Sequence, residues 1–134
     1  MSYVNYMMVK NWIFVVCLTF VGLFTVNAQH LLRFKADGKF KIIQFTDVHY
    51  IIDDSRSDTA LETIREVLEL EKPDFVMFTG DVVYGKPADK GLRKVLGLVS
   101  ERNIPFAVTF GNHDDEHGMT RERLLGVIKE IPYN

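Results

Sequence analysis

Three short polar clusters carry the residues of this chain that are best suited to chemistry. They are Asp47-Val48-His49, Gly80-Asp81 and Gly111-Asn112-His113-Asp114. Their carboxylate, imidazole and amide groups are hard to borderline ligands that suit Mn, Fe or Zn. The clusters also contain histidines, the side chains most often used to move protons near neutral pH. The candidate metal ligands are Asp47, His49, Asp81 and Asn112.

Each cluster begins where a predicted buried strand ends. Short apolar runs predict strands at residues 40–46, 74–79 and 106–110. Apolar residues at helical spacing predict helices over about 58–71, 88–102 and 120–131. Strands that alternate with helices are typical of a parallel α/β sheet. Because such sheets bind ligands along the shared edge of their carboxyl ends, the three clusters are expected to converge there.

Local spacing favours this convergence. Asp47 and His49 are two residues apart, so an extended strand end would point both side chains the same way. Gly80 and Gly111 would relieve crowding where the backbone turns sharply next to a ligand. Each feature alone has a simpler explanation, since a loop aspartate is more often a turn or helix cap. The combination at three successive strand ends is what favours a functional site.

Residues 1–28 have the composition of an export signal. They carry one charged residue, Lys10, ahead of an apolar run at 13–26 and the small-residue ending Val26-Asn27-Ala28. A positive flank, a short apolar core and a small-residue site are typical of a cleaved secretory signal peptide. A cleaved leader predicts a periplasmic or secreted protein. The alternative is an uncleaved leader that anchors the exported protein in the membrane.

The bulk composition of the whole chain, in which residues 29–134 follow the leader as one domain, narrows its class. A hydrophobic fraction of 47% with 25% charged residues is typical of a globular protein. The net charge of −2 argues against a basic nucleic-acid-binding surface. The only cysteine, Cys17, lies in the leader, so oxygen and nitrogen atoms would have to hold any metal. A tight turn at Asp37-Gly38 predicts a β-hairpin between the runs 30–35 and 40–46.

The series Asp-x-His, Gly-Asp and Gly-Asn-His-Asp resembles the opening motifs of the calcineurin-like metallophosphoesterase superfamily. Residues 72–81 and 110–114 are especially similar to the branch related to purple acid phosphatases. The resemblance covers roughly residues 40–134. It implies that the domain is the N-terminal, truncated half of a four-layer α/β/β/α sandwich.

The resemblance also implies a reaction and a set of roles. Two transition-metal ions would hydrolyse a phosphate-ester substrate through a metal-bridging hydroxide. Asp47 and His49 would hold the first ion. Asp81 would bridge both ions, and Asn112 would hold the second.

His113 and Asp114 have catalytic roles in the same resemblance. His113 would protonate the leaving oxygen, and Asp114 would orient its imidazole. We interpret Glu116 as a solvated loop acid and Arg121 as a surface residue of the following helix.

The chain departs from the family pattern in two places. Gly80-Asp81-Val82-Val83-Tyr84 has the spacing of a tyrosine ligand in the purple enzymes, but those enzymes usually lack a histidine at the position of His49. We therefore take His49 as the ligand and Tyr84 as part of the pocket wall. The later lone histidine and Gly-His-x-His motif of the family are absent from the sequence, so this chain alone is expected to be inactive. The alternative is a truncated, non-catalytic remnant with weak or no metal binding.

The predicted truncation also concerns the sheet. In the family architecture a second sheet would pack against the first. We therefore expect one sheet face to lack cover, namely the face formed by Ile43, Phe45, Val76, Phe78 and Val108.

Overall fold

The computed structural model describes residues 32–134, in which strands and helices alternate as predicted. The elements are β1 (Ile42–Phe45), α1 (Asp58–Glu71), β2 (Phe75–Thr79), α2 (Ala88–Ser100), β3 (Phe106–Thr109) and α3 (Arg121–Lys129), with a 3-10 turn at Ser55–Ser57 before α1. The predicted signal peptide and its cleavage site lie outside the described residues. No helix within residues 32–134 combines the length and apolarity needed to cross a bilayer.

The strands form one parallel sheet in the order β1-β2-β3. Ile43 lies beside Val76 of the central strand, which lies beside Phe106 of β3. Parallel neighbours need a long crossover connection, and α1 and α2 provide it here. The carboxyl ends of the three strands therefore lie along one edge, as the sequence predicted.

The core lies between this sheet and the helices. Val76 and Phe78 of the central strand are fully buried. The helix residues that complete the core are apolar and nearly fully buried: Leu61, Ile64, Leu68, Leu92, Val95, Leu96, Val99, Leu124 and Ile128. Since burying each such side chain contributes roughly 1.5–3 kcal/mol, this packing is what holds the strand ends in place.

The prediction that Ile43, Phe45, Val76, Phe78 and Val108 form an uncovered face was wrong. Val76 and Phe78 are buried, and Phe45 and Val108 pack against the same core as the helices. The error arose because both faces of these strands are rich in apolar residues. Period-two alternation shows which residues share a face, but it does not show which face meets the helices.

The opposite face of the sheet is the less covered one within residues 32–134. Ile42 and Gln44 are exposed there, and Met77 and Ala107 are only half-buried. The side-chain amide of Gln44 donates to the hydroxyl of Thr79 at 2.9 Å across this face. An opposing layer, if the whole protein has one, would have to pack here.

The predicted hairpin is wrong for the described residues. The tight turn does form, because the Gly38 N–H donates to the Lys35 carbonyl at 2.9 Å. Residues 32–41 contain no strand, however, and Phe34 is 75% exposed. The segment is tied to the edge of the sheet by an ion pair between Lys35 and Asp74 at 2.9 Å. Leu32 and Phe34 alternate along the segment before the turn but stay 53% and 75% exposed, so strand pairing there is not supported by a buried face.

Candidate metal centre

Asp47, His49 and Asp81 converge at the carboxyl edge of the sheet. One donor atom from each of the three side chains lies within 4.8 Å of the other two. The His49 Nε2 atom is 3.8 Å from Asp47 Oδ1 and 4.0 Å from Asp81 Oδ2. Asp47 and His49 follow β1, whereas Asp81 follows the neighbouring strand β2. The arrangement therefore depends on the parallel pairing of these two strands.

The backbone at these three residues is unusual. Asp47, His49 and Asp81 have φ values of 54°, 46° and 52°, in the left-handed region. This region is uncommon for residues other than glycine and costs about 1–3 kcal/mol for each residue held there. Such conformations cluster at functional sites, where the surrounding structure maintains them. Asp47, His49 and Asp81, three of the four candidate ligands, are in that state.

Hydrogen bonds between the two loops hold this backbone. The Asp47 N–H donates to the Gly80 carbonyl at 3.1 Å, and the His49 N–H donates to the Asp81 carbonyl at 2.9 Å. Asp47 and His49 therefore approach each other, as predicted, but for a different reason. They do so through two left-handed residues and not through an extended strand end.

Gly80 and Gly111 relieve crowding as the sequence predicted. A Cβ atom on Gly80 would lie 2.8 Å from the Gly111 Cα atom. A Cβ atom on Gly111 would lie only 2.1 Å from Asp81 Oδ1. A side chain at either position would therefore displace the backbone or the Asp81 carboxylate.

The third cluster is attached to the site through Asp81. The backbone N–H of His113 donates to Asp81 Oδ1 at 2.8 Å. Asn112 is exposed on the same loop, between His113 and the glycine that contacts Asp81. The rings of His49 and His113 have centroids 5.4 Å apart. The loop after β3 thus reaches the residues that follow β1 and β2.

Asp114 has a different role from the predicted one. It is buried, with 1% exposure, and its Oδ2 accepts from the N–H groups of Asp81 and Gly111 at 2.9 and 2.8 Å. Its Oδ1 accepts from the N–H groups of Val82 and Val83 at 2.8 and 3.2 Å. The carboxylate therefore joins the loops after β2 and β3. The predicted pairing of Asp114 with the imidazole is not the one the structure holds.

The carboxylate on the imidazole of His113 belongs to Glu116. His113 Nδ1 and Glu116 Oε2 are 2.8 Å apart. This contact is the main reason that the pKa of His113 is raised, and the nearby Asp81 and Asp114 carboxylates add to it. The interpretation of Glu116 as a solvated loop acid missed this contact. The signal available was the three-residue spacing in His113-Asp114-Asp115-Glu116, which one turn can close.

Tyr84 lies among the imidazoles of the site. Its ring centroid is 5.5 Å from that of His49 and 5.4 Å from that of His113, in both cases edge to face. His117 packs against the same tyrosine at 4.6 Å, and its Nε2 atom is buried without a hydrogen-bond partner. Tyr84 therefore lies beside the candidate site, and its role as part of the pocket wall stays a prediction.

Arg121 fastens the third cluster to the start of α3. Its Nη2 atom donates to the Gly111 carbonyl at 2.8 Å, and its Nε atom donates to Asp115 Oδ2 at 3.1 Å. Thr120 caps the helix by accepting from the N–H of Arg123. Although Arg121 is exposed, as predicted, it is also a structural contact of the loop.

The donor set fits a transition-metal ion. Two carboxylates and an imidazole are suitable ligands for Mn, Fe or Zn, and their donor atoms lie close enough to share an ion. Asp81 is 7% exposed, so an unneutralised charge there carries a desolvation cost that a cation would offset. The residues present therefore favour metal binding.

Comparison with known proteins also indicates a metal-dependent phosphoesterase family. Residues 40–133 match the family described as Calcineurin-like phosphoesterase. Phosphatase DCR2 of Saccharomyces cerevisiae is 36% identical over 115 residues, which cover 73% of this chain and 20% of that protein. Probable inactive purple acid phosphatase 14 of Arabidopsis thaliana is 34% identical over 119 residues, covering 75% and 30%. Uncharacterized metallophosphoesterase YkuE of Bacillus subtilis is 36% identical over 84 residues, covering 61% and 28%.

The chain spans between 20% and 30% of the length of these relatives. The family match at residues 40–133 includes all three polar clusters and all the strands and helices of the described residues. Three parallel strands and three helices are consistent with part of a metallophosphoesterase fold. This chain belongs to the calcineurin-like phosphoesterase family.

Proposed function

We propose that this chain supplies the N-terminal part of the active site of an exported phosphoesterase that hydrolyses phosphate esters at a dinuclear metal centre. The main support is the convergence of donor atoms from Asp47, His49 and Asp81 within 4.8 Å. The hydrogen bond from the His113 backbone to Asp81 brings Asn112 and His113 to the same edge.

Each residue then has a role in binding. Asp47 and His49 would hold one ion, and the carboxylate of Asp81 would be shared with a second ion. Asn112 would supply an amide oxygen to the second ion. Bound Mn, Fe or Zn supplies Lewis acidity toward phosphate oxygens and a nucleophile from water near neutral pH. The backbone of the first three ligands is held by hydrogen bonds between the two loops, which favours a site arranged before the metal binds.

His113 acts on the leaving group in this proposal. Its imidazolium donates a proton to the departing ester oxygen, a contribution that is typically about 10²–10⁴-fold in rate. The raised pKa of His113 keeps more of the ring protonated at neutral pH, as a general acid requires. Tyr84 lies beside the ring and limits the space in which it can turn.

A second candidate function is a non-catalytic member of the family. The similar Arabidopsis protein has the word inactive in its name. A protein of this kind would keep the fold and bind metal weakly or not at all.

Two substitutions distinguish these functions in the whole protein, meaning this chain with any further residues that its gene encodes. We expect Asp81→Asn to abolish binding of the metal pair, because the remaining amide is a poorer ligand for two cations. His113→Ala should retain metal and lose turnover of an aryl phosphate. Metal content would be measured by elemental analysis beside the kinetics. If His113→Ala loses the metal while Asp81→Asn keeps it, the proposed roles are wrong.

The 134-residue chain itself provides a separate test. We expect this chain alone to have no phosphatase activity. Coordination positions without a protein ligand would be filled by water, and the ions would bind weakly. The purified chain would be assayed on an aryl phosphate with excess Mn, Fe or Zn, with calorimetry of metal binding alongside. Sustained turnover with a metal-stabilised fold would contradict the proposed need for further ligands.

Export is tested at the N-terminus. We expect the leader to be removed after Ala28, so that N-terminal sequencing of the exported protein begins at Gln29. Replacing Ala28 with a large charged residue should block removal and leave a longer precursor. A cytosolic protein that still begins at Met1 would contradict this part of the proposal.

A further inference from the structure

We propose that Glu116 is the positioning residue of His113, holding the imidazole through Nδ1 so that Nε2 is the nitrogen that faces the leaving group. The inference rests on the proposed function for its catalytic consequence. Its structural part, the choice of ring nitrogen, concerns this chain alone.

The contact between the two side chains determines the tautomer. His113 Nδ1 and Glu116 Oε2 are 2.8 Å apart, a normal hydrogen-bond length. An ionised carboxylate has only acceptor atoms, so Nδ1 must carry the proton that is shared. The lone pair of the neutral ring is then at Nε2. In the charged ring, Nε2 carries the proton available for transfer.

The backbone brings the two residues together. The Glu116 N–H donates to the His113 carbonyl at 3.2 Å, which closes a turn over residues 113–116. This turn is anchored at its start, because the His113 N–H donates to Asp81 Oδ1. The carboxylate of Glu116 is therefore placed by the same loop that places the ring.

The other acidic side chains near the ring of His113 already accept hydrogen bonds from other groups. Both oxygens of Asp114 accept from backbone N–H groups of the two loops. Asp115 accepts from Arg121, and Asp81 Oδ1 accepts from the His113 backbone. Among the described residues, Glu116 is the acid whose side chain is hydrogen-bonded to the imidazole.

A positioning role predicts a specific pattern of variants. In Glu116→Gln the amide oxygen still accepts from Nδ1–H, so the ring should remain in place. Glu116→Ala removes the acceptor and frees the ring to turn. Asp115→Asn is the matched control, because it changes a neighbouring acid on the same loop that contacts Arg121 and not the imidazole.

The decisive measurement is the tautomer of His113 by NMR. The whole protein would be labelled with ¹⁵N-histidine and loaded with diamagnetic Zn²⁺, and His113→Asn would assign the signals. At a pH where the ring is neutral, we expect the proton at Nδ1 in the wild type, in Glu116→Gln and in Asp115→Asn. Glu116→Ala should lose this preference. A wild-type ring protonated at Nε2, or an Nδ1 preference that survives in Glu116→Ala, would overturn the assignment.

Turnover tests the catalytic consequence separately. Glu116→Ala should reduce kcat roughly tenfold on phenyl phosphate, a fraction of the about 10²–10⁴-fold that a general acid contributes. The loss should be much smaller on 2,4-dinitrophenyl phosphate, whose leaving group needs no proton, and Glu116→Gln should restore most of the rate. Equal losses on both esters would refute a positioning role in proton donation. If no form hydrolyses either ester while the NMR pattern holds, the proposed function fails and the assignment of Glu116 stands.

Discussion

Asp114 offers the sharpest test of how this site is built. Its buried carboxylate accepts four backbone N–H groups, two through each oxygen. Three of the donors belong to Asp81, Val82 and Val83 in the loop after β2, and the fourth belongs to Gly111 after β3. Substitution of Asp114 therefore removes the connection between two loops that carry candidate ligands.

The number of bonds sets the expected magnitude. Each buried N–H that loses its acceptor costs about 1–3 kcal/mol. Asp114→Asn keeps one acceptor oxygen but turns an NH₂ group toward two N–H donors, so we expect a loss of about 2–6 kcal/mol in the free energy of unfolding. Asp114→Ala leaves four donors without a partner and should cost about 4 kcal/mol or more. Because domains are stable by only about 5–15 kcal/mol, the alanine variant is near the limit of folding.

Urea denaturation of the whole protein measures this effect, with zinc affinity determined by calorimetry. Asp115→Asn is the control, because it removes an exposed ion pair with Arg121 and should change stability by less than about 1 kcal/mol. If Asp114 instead served only to orient His113, Asp114→Asn would lose turnover and keep its stability. An asparagine variant within about 1 kcal/mol of the wild type would therefore refute the loop-joining role.

Two further predictions follow from the same loops. Gly111→Ala should weaken zinc binding and lower the free energy of unfolding by about 1–3 kcal/mol, since the new Cβ would lie 2.1 Å from Asp81 Oδ1. Gly126→Ala is the control. Its new Cβ would have nothing within 4 Å, so it should stabilise α3 by up to about 1 kcal/mol. Unchanged zinc affinity in Gly111→Ala would count against the crowded geometry. The carboxyl group of Asp54 should titrate with a pKa of about 2, because the side chain and the backbone N–H of Arg56 both bind it. An NMR titration with an ordinary aspartate midpoint would contradict that contact.

The sequence predicted the elements of the sheet and helices well, because strong periodic signals set them. Helix α1 begins at Asp58 and ends at Glu71, the bounds that its apolar spacing indicated. The failures lay where the signal was local or ambiguous. Asp37-Gly38 did form a turn, but a turn alone does not provide the partner strand or the buried face that a hairpin requires.

In the candidate site, too, some features were predictable from the sequence and others were not. Motif order and strand ends brought Asp47, His49 and Asp81 together correctly, since topology decides which loops share an edge. The left-handed φ values of these residues were not predictable, because they arise from hydrogen bonds to a neighbouring loop. Sequence spacing therefore identified the participants without revealing the conformations that hold them.

The exchange of roles between Asp114 and Glu116 has a physical cause. In the sequence, Asp114 is the acid adjacent to His113, but neighbouring side chains in a turn point in different directions. Asp114 points inward, where unpaired N–H groups of two loops require an acceptor. Glu116, three residues on, returns to the imidazole through the turn. Asp114, the nearer acid, therefore accepts hydrogen bonds from buried backbone N–H groups. Glu116, the farther acid, is the one that contacts the imidazole of His113.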